Sequence, residues 1–191
     1  FEWFGGTVSP KHLIAYKTTD DMFDTDFGFS GKVQYALGIS DPNLSDLAGA
    51  SNGFESDNDA AGSTNQPLTT AAFSNVTLVG PINSAAGQKF GQGAHLKKGT
   101  SLSMFNTVIT GCAKGITIDG TSSEGYATNG SLNIKNTVVA GTVSKTGSSE
   151  FDANAWFNTA AFNNQAKTHA ELGLGTAAPF MPAAGSMLLT G

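Results

Sequence analysis

Apolar and polar residues alternate in short runs along most of this chain, and the runs repeat. Phe73-Ser74-Asn75-Val76-Thr77-Leu78-Val79-Gly80 is followed by Met104-Phe105-Asn106-Thr107-Val108-Ile109-Thr110-Gly111 and by Ile134-Lys135-Asn136-Thr137-Val138-Val139-Ala140-Gly141. Each copy reads apolar, any residue, Asn, Val or Thr, any residue, Leu/Ile/Val, any residue, Gly, and the asparagines fall 31 and 30 residues apart. Self-similarity at such a period is the signature of a solenoid, in which each repeat buries its apolar face only against its neighbours. The runs are too short and too closely spaced for helical crossovers, which need an amphipathic stretch of ~10 or more residues. No such stretch is visible before about residue 155. The pattern therefore predicts an all-β fold, a right-handed parallel β-helix. Asn75, Asn106 and Asn136 are expected to stack at a bend of successive coils, where their amides satisfy turn groups.

A looser ladder precedes this one. Phe1-Glu2-Trp3-Phe4, Phe23-Asp24-Thr25-Asp26 and Phe54-Glu55-Ser56-Asp57 align with their first phenylalanines 22 and 31 residues apart. Successive side chains of a strand point to opposite faces, so the phenylalanines face inward and the acids outward. Carried further through Ala94-His95-Leu96-Lys97 and Ile116-Thr117-Ile118-Asp119, one outward column reads Glu2, Asp24, Glu55, His95, Thr117. Its neighbour reads Phe4, Asp26, Asp57, Lys97, Asp119. The runs 12–16 and 32–38 supply further strands, and the stretches 40–53 and 59–70 are polar loops. The period fades from about residue 150. Residues 1–150 are expected to form the coils, and 151–191 the terminal coil and an irregular or short-helical cap of the same domain. Trp156, Phe157 and Phe162 are its apolar anchors, and the stretch 179–189 closes it.

Composition narrows the function. Charged residues are only 13% of the chain and glycines number 24, a balance that suits tight turns and disfavours helices. The ten basic residues are all lysine and the net charge is −5. A nucleic-acid partner is therefore not expected. The single cysteine, Cys112, cannot form an internal disulfide and reads as a small buried residue. No apolar run is long enough for a transmembrane helix, and no signal peptide is visible. A start at Phe1, already inside a rung, suggests a mature or trimmed product.

Residues 1–8, 19–31 and 52–59, with the closing Pro182-Ala183-Ala184-Gly185-Ser186, resemble a family of secreted or surface-exposed proteins from Bacteroidetes-type bacteria. These are right-handed parallel β-helices of pectate-lyase-like fold. The resemblance implies that fold and an extracellular or cell-surface location, associated with the outer membrane. Members of that family run on at both ends, which implies a longer product here. Relatives tend to carry two arginines after the histidine, where this chain has Lys97 and Lys98. The family carries no activity across.

The outward acids are the candidate site. Adjacent rungs lie ~4.8 Å apart and alternate residues on one strand ~6.6 Å apart. Two unit charges at ~5 Å repel by roughly 3 kcal/mol at an effective dielectric of ~20. Such a cluster takes up protons, recruits lysines or binds a cation. Asp24, Asp26, Glu55 and Asp57 are the expected ligands, with Asn58 in reach and Ca²⁺ the expected ion, since it takes six to eight oxygens. A solvated acidic face is the alternative. Asp24, Asp57, His95 and Lys97 are the candidate catalytic residues. Carboxyl pairs at ~5 Å or ~6.5–9.5 Å suit glycoside hydrolysis, whereas a lyase would need Lys97 with His95 as base. His12 and His169 read as structural. Trp3, Phe23 and Phe54 read as core, and Phe4 as outward. The expected function is a non-catalytic surface module contacting glycans or surface proteins, with a polysaccharide hydrolase or lyase as the alternative.

Overall fold

Short apolar runs punctuated by Gly, Asn and Asp fold into strands of three to eight residues, every one paired in parallel with the coil above or below. The structure, a computed structural model, describes residues 1–175 and 180–189. In chain order the elements are β1 (Glu2–Phe4), β2 (Lys11–Tyr16), β3 (Phe23–Asp26), β4 (Lys32–Ile39), β5 (Phe54–Ser56), β6 (Ala72–Val79), β7 (Gln92–Leu96), β8 (Ser103–Thr110) and β9 (Lys114–Ile118). Then come helix α1 (Gly120–Asn129), β10 (Asn133–Lys135), β11 (Val138–Ala140), β12 (Thr142–Lys145), helix α2 (Ala153–Phe157) and β13 (Gln165–Lys167). Sheet one runs β1-β3-β5-β7-β9-β12, and sheet two runs β13-β11-β8-β6-β4-β2 with β10 beside β8. Apart from β10 and β11, which lie in line on β8, consecutive strands thus alternate between two parallel sheets, which is a parallel β-helix. Among the described residues no helix is long and apolar enough to cross a membrane.

The register is the expected one. Asp24 stands opposite Glu2 and Glu55, Glu55 opposite His95, and His95 opposite Thr117. In sheet two, Ser74 pairs with Phe105 and Val76 with Thr107, which sets Asn75 against Asn106. Each of these asparagines has a positive φ, 56° at Asn75, 49° at Asn106 and 52° at Asn136. Asn enters this left-handed region more readily than most residues. One such residue resets the strand alternation, so that Ser74 and Asn75 both face outward before Val76 turns in.

The bend column is longer than the Asn repeat. Tyr35 and His12 occupy the same position one and two coils earlier, with φ of 58° and 60° and their rings stacked 5.3 Å apart. At the other end Asn163 has φ 53° and its amide donates to Asn136 Oδ1 at 3.1 Å. The period therefore does not stop near residue 150. After α2 the chain makes a further rung, β13 on β11, with Asn164 accepting from the Thr137 N–H and donating to the Ile134 carbonyl.

Inside, the Phe23 and Phe54 rings meet at a tilt of 37° with centroids 5.7 Å apart, and Phe73 from sheet two meets Phe54 edge-on at 4.9 Å. Phe23, Phe54 and Phe73 are fully buried. Trp3 faces inward as expected, stacked on Phe29 at 5.2 Å, and Phe4 faces outward, 64% exposed. A hydroxyl ladder, Thr25 to Ser56 at 2.8 Å and Ser56 to Thr100 at 2.6 Å, satisfies the buried polar groups beside the aromatic stack.

One element departs from the expectation. The segment Gly-Thr-Ser-Ser-Glu-Gly-Tyr-Ala-Thr-Asn forms the ten-residue helix α1 well before residue 155. It is rich in weak helix formers and shows no apolar stripe, so tertiary partners must hold it. Buried Glu124 accepts the Gly147 and Ser148 N–H groups at 2.7 and 2.6 Å, and the Ser123 hydroxyl accepts the Gly99 N–H. Gly130, with φ 83°, ends it. The cap matches better: Asp152 Oδ1 accepts the Ala155 N–H at the start of α2, and Phe157 is fully buried. Pro179, at the head of the expected closing stretch, lies outside the described residues.

Candidate functional site

The outward face of sheet one carries the ionisable residues, and the 40–53 loop folds over its first rungs to make a cleft. Asp46 organises that loop by accepting from the Ala48 and Gly49 N–H groups, and its own N–H donates to Ser51 Oγ. The loop delivers Asn52, which is 5% exposed, into the site. Its N–H donates to Asp21, its amide donates to Glu55 Oε2 at 3.1 Å, and its carbonyl oxygen accepts the Gln92 N–H. Asn52 thus ties three coils together. The resulting cleft has a volume of about 480 Å³, and Asp21, Asp24, Asn52, Glu55, His95 and Lys97 contribute to its lining.

The four expected metal ligands divide. Asp24 and Glu55 meet Asp21, and one carboxylate oxygen from each of the three lies within 4.8 Å of the others. Asp57 is withdrawn from that group. It is 6% exposed and sits 3.3 Å from Lys98 and 3.7 Å from Lys97, with Oδ1 buried and unpartnered. Asp26 is turned to its own backbone, where Oδ1 accepts the Phe27 N–H at 2.6 Å. Asn58 is also occupied, donating to the Ser63 and Asn65 carbonyls and accepting from the Thr69 N–H. So the triad is Asp21, Asp24 and Glu55. Asp21 lies in the turn before β3, outside the period-two pattern.

Of the candidate catalytic residues, Asp24, His95 and Lys97 line the cleft and Asp57 does not. Lys97 Nζ reaches Glu55 Oε1 at 2.7 Å. His95 lies between two acids, Nε2 at 2.7 Å from Asp119 Oδ2 and Nδ1 at 3.7 Å from Glu55 Oε2. Asp119 is held in turn by the Thr146 hydroxyl.

These contacts split the carboxyls. Burial, then the charge of Glu55, pushes Asp21 and Asp24 up to about 7. Burial also opposes ionisation of Glu55, but His95 and Lys97 outweigh it and hold that carboxyl down at about 2. Burial lowers His95, yet its two acidic neighbours prevail and raise it overall. Asp57 is raised by burial despite its lysines. An ionised Glu55 therefore sits beside two protonatable carboxyls. That arrangement can hold a hard cation once both deprotonate, or donate a proton beside a carboxylate.

Elsewhere the expectations for single residues hold as structural ones. Cys112 is half-buried rather than fully buried as expected: its thiol packs against Gly80 and is pushed up to about 12 by desolvation. His169 Nδ1 pairs with the Thr110 hydroxyl at 2.7 Å.

Comparison with known proteins places this geometry in a family. No curated protein and no solved structure matches the chain. The family described as pectate-lyase-like β-helix domain matches residues 1–183. A chain whose coils, bend column and polar sheet face run through that same span belongs to the pectate-lyase-like β-helix domain family.

Proposed function

We propose that this chain is the β-helix module of a secreted or cell-surface protein, and that its cleft contacts glycans with the help of a divalent cation, most suitably Ca²⁺. The observation that carries the reading is the triad: three carboxylates within 4.8 Å, two of them raised to about 7. Burial and mutual repulsion oppose full ionisation, and a dication relieves both. The donor set fits a hard ion. Three carboxylates offer up to six oxygens, and the Asp24 carboxylate accepts no hydrogen bond from the described residues. Backbone carbonyls, water or sugar hydroxyls would complete a shell of six to eight. Lys97 is the competitor, because it already neutralises Glu55.

Calorimetric titration with Ca²⁺ tests the reading. Binding that is lost in Asp24→Asn, with a higher unfolding midpoint in Ca²⁺ than in chelator, is the expected result. At ~100 times the dissociation constant, an ion that binds only the folded state adds ~2.7 kcal/mol. Identical midpoints and no heat would overturn it.

A second reading, hydrolysis of a polysaccharide, is favoured by one specific observation. Asp24 at about 7 beside Glu55 at about 2 is the split expected of a proton donor and a partnering carboxylate. Their separation on adjacent rungs suits the retaining geometry of ~5 Å. New reducing ends from neutral glycans, abolished by Asp24→Asn and by Glu55→Gln, would make the module an enzyme. A lyase reading has weaker support, since Lys97 is engaged with Glu55 rather than free to take a proton.

A further inference from the structure

A second cavity lies away from the triad, between α1 and the turn that leads into α2. Its volume is about 640 Å³, and Trp156, Phe151, Glu124, Glu150, Asp152 and Thr128 line it. The aromatic pair forms an angled cradle, the ring centroids 6.1 Å apart and the planes at 52°. Trp156 is fixed in place because its Nε1–H donates to the Ala127 carbonyl at 3.0 Å. On the polar side, Glu124 is locked by the Gly147 and Ser148 N–H groups, and Asp152 by the Ala155 N–H. Glu150 is exposed at the rim, and its carboxylate has no such backbone partner among the described residues.

We infer that this cavity is a saccharide-binding site, and that it takes a neutral or amino-bearing sugar unit. A fixed indole offers its face to the apolar C–H side of a sugar ring. Carboxylates accept hydrogen bonds from hydroxyls and cannot donate when ionised, so the rim complements a ligand rich in donors. Three carboxylates and no lysine line the cavity. That charge repels a uronate and attracts an ammonium group, which the indole face also favours. The site is independent of the triad. None of the residues that line it lines the triad cleft.

The chain has two tryptophans, Trp3 and Trp156, so Trp3→Phe isolates the emission of Trp156. Titrate that protein with a glucose oligomer, a glucosamine oligomer and a galacturonate oligomer. The first two are expected to shift or quench the emission, and the third to leave it unchanged. By calorimetry, Glu150→Gln should weaken the glucosamine oligomer at least fivefold with no change in unfolding midpoint, and Trp156→Phe should weaken both. If Trp156→Phe fails to fold, Glu150→Gln decides. No emission change with either donor-rich oligomer would overturn the site, as would equal affinity in Glu150→Gln. Galacturonate bound as tightly as glucosamine would overturn the charge argument.

Discussion

Asp24 owes its behaviour to its neighbours on both sides. Its side chain is half-buried, the Asp21 carboxyl faces it from the preceding turn, and the Glu55 carboxylate faces it from the next rung. The consequence for pH follows from linkage. Asp24 titrates at 3.8 unfolded and about 7 folded, so between those values the folded state alone holds the proton. Its contribution to stability is present in acid and is lost as pH rises toward 7. Asp21 and His95, both raised, act in the same direction. Glu55 opposes them: lowered from 4.5 to about 2, it stabilises above 4.5 and loses that contribution as pH falls through 2. In chelator the unfolding midpoint is therefore expected to be higher at pH 5 than at pH 8, and to fall again below ~4. Ca²⁺ should replace the protons and reduce the difference, and Asp24→Asn should flatten the slope above pH 5. Midpoints that do not change between pH 5 and pH 8 would show that Asp24 and Asp21 are ionised throughout.

The bend of sheet two is where a single backbone angle governs a whole element. Every coil from β2 to β13 passes through one left-handed residue, and four of the six are asparagine. At Asn106, exposed with φ 49°, replacement by Ala is expected to cost about 1 kcal/mol, because alanine enters the left-handed region less readily than asparagine. Asn106→Gly should cost less, since glycine enters this region freely. Urea unfolding of both variants checks the order, and an Ala variant as stable as the parent would remove the backbone explanation. Helix α1 shows the opposite dependence, having weak intrinsic propensity and strong tertiary anchors. Glu124→Gln is expected to loosen the turn at 147–148 by leaving two N–H groups with a weaker acceptor. Amide exchange at Gly147 and Ser148 would report it.

Across the whole molecule, the core is a stack of rungs, so damage to one rung is felt by its neighbours. Phe54 touches Phe23 below and Phe73 across the interior. Phe54→Ala should cost about 3–5 kcal/mol, the range for a buried aromatic, and unfolding that stayed two-state would show the rungs to be coupled. The coil repeat, the sheet-one register and the inward or outward sense of Asp24, Glu55, His95 and Lys97 were legible in the sequence, because strand alternation and stacking depend only on local geometry and period. The length of the bend column was not, because His12 and Tyr35 share a backbone angle with the asparagines and no side-chain chemistry. Nor was α1, whose residues become helical only through Glu124 and Ser123 contacts with chain 23 or 24 residues away. The membership of the triad was likewise a tertiary decision. Period-two spacing placed Asp57 beside Glu55, yet Lys97 and Lys98 draw Asp57 aside, and Asn52 from a folded loop holds Asp21 in its place.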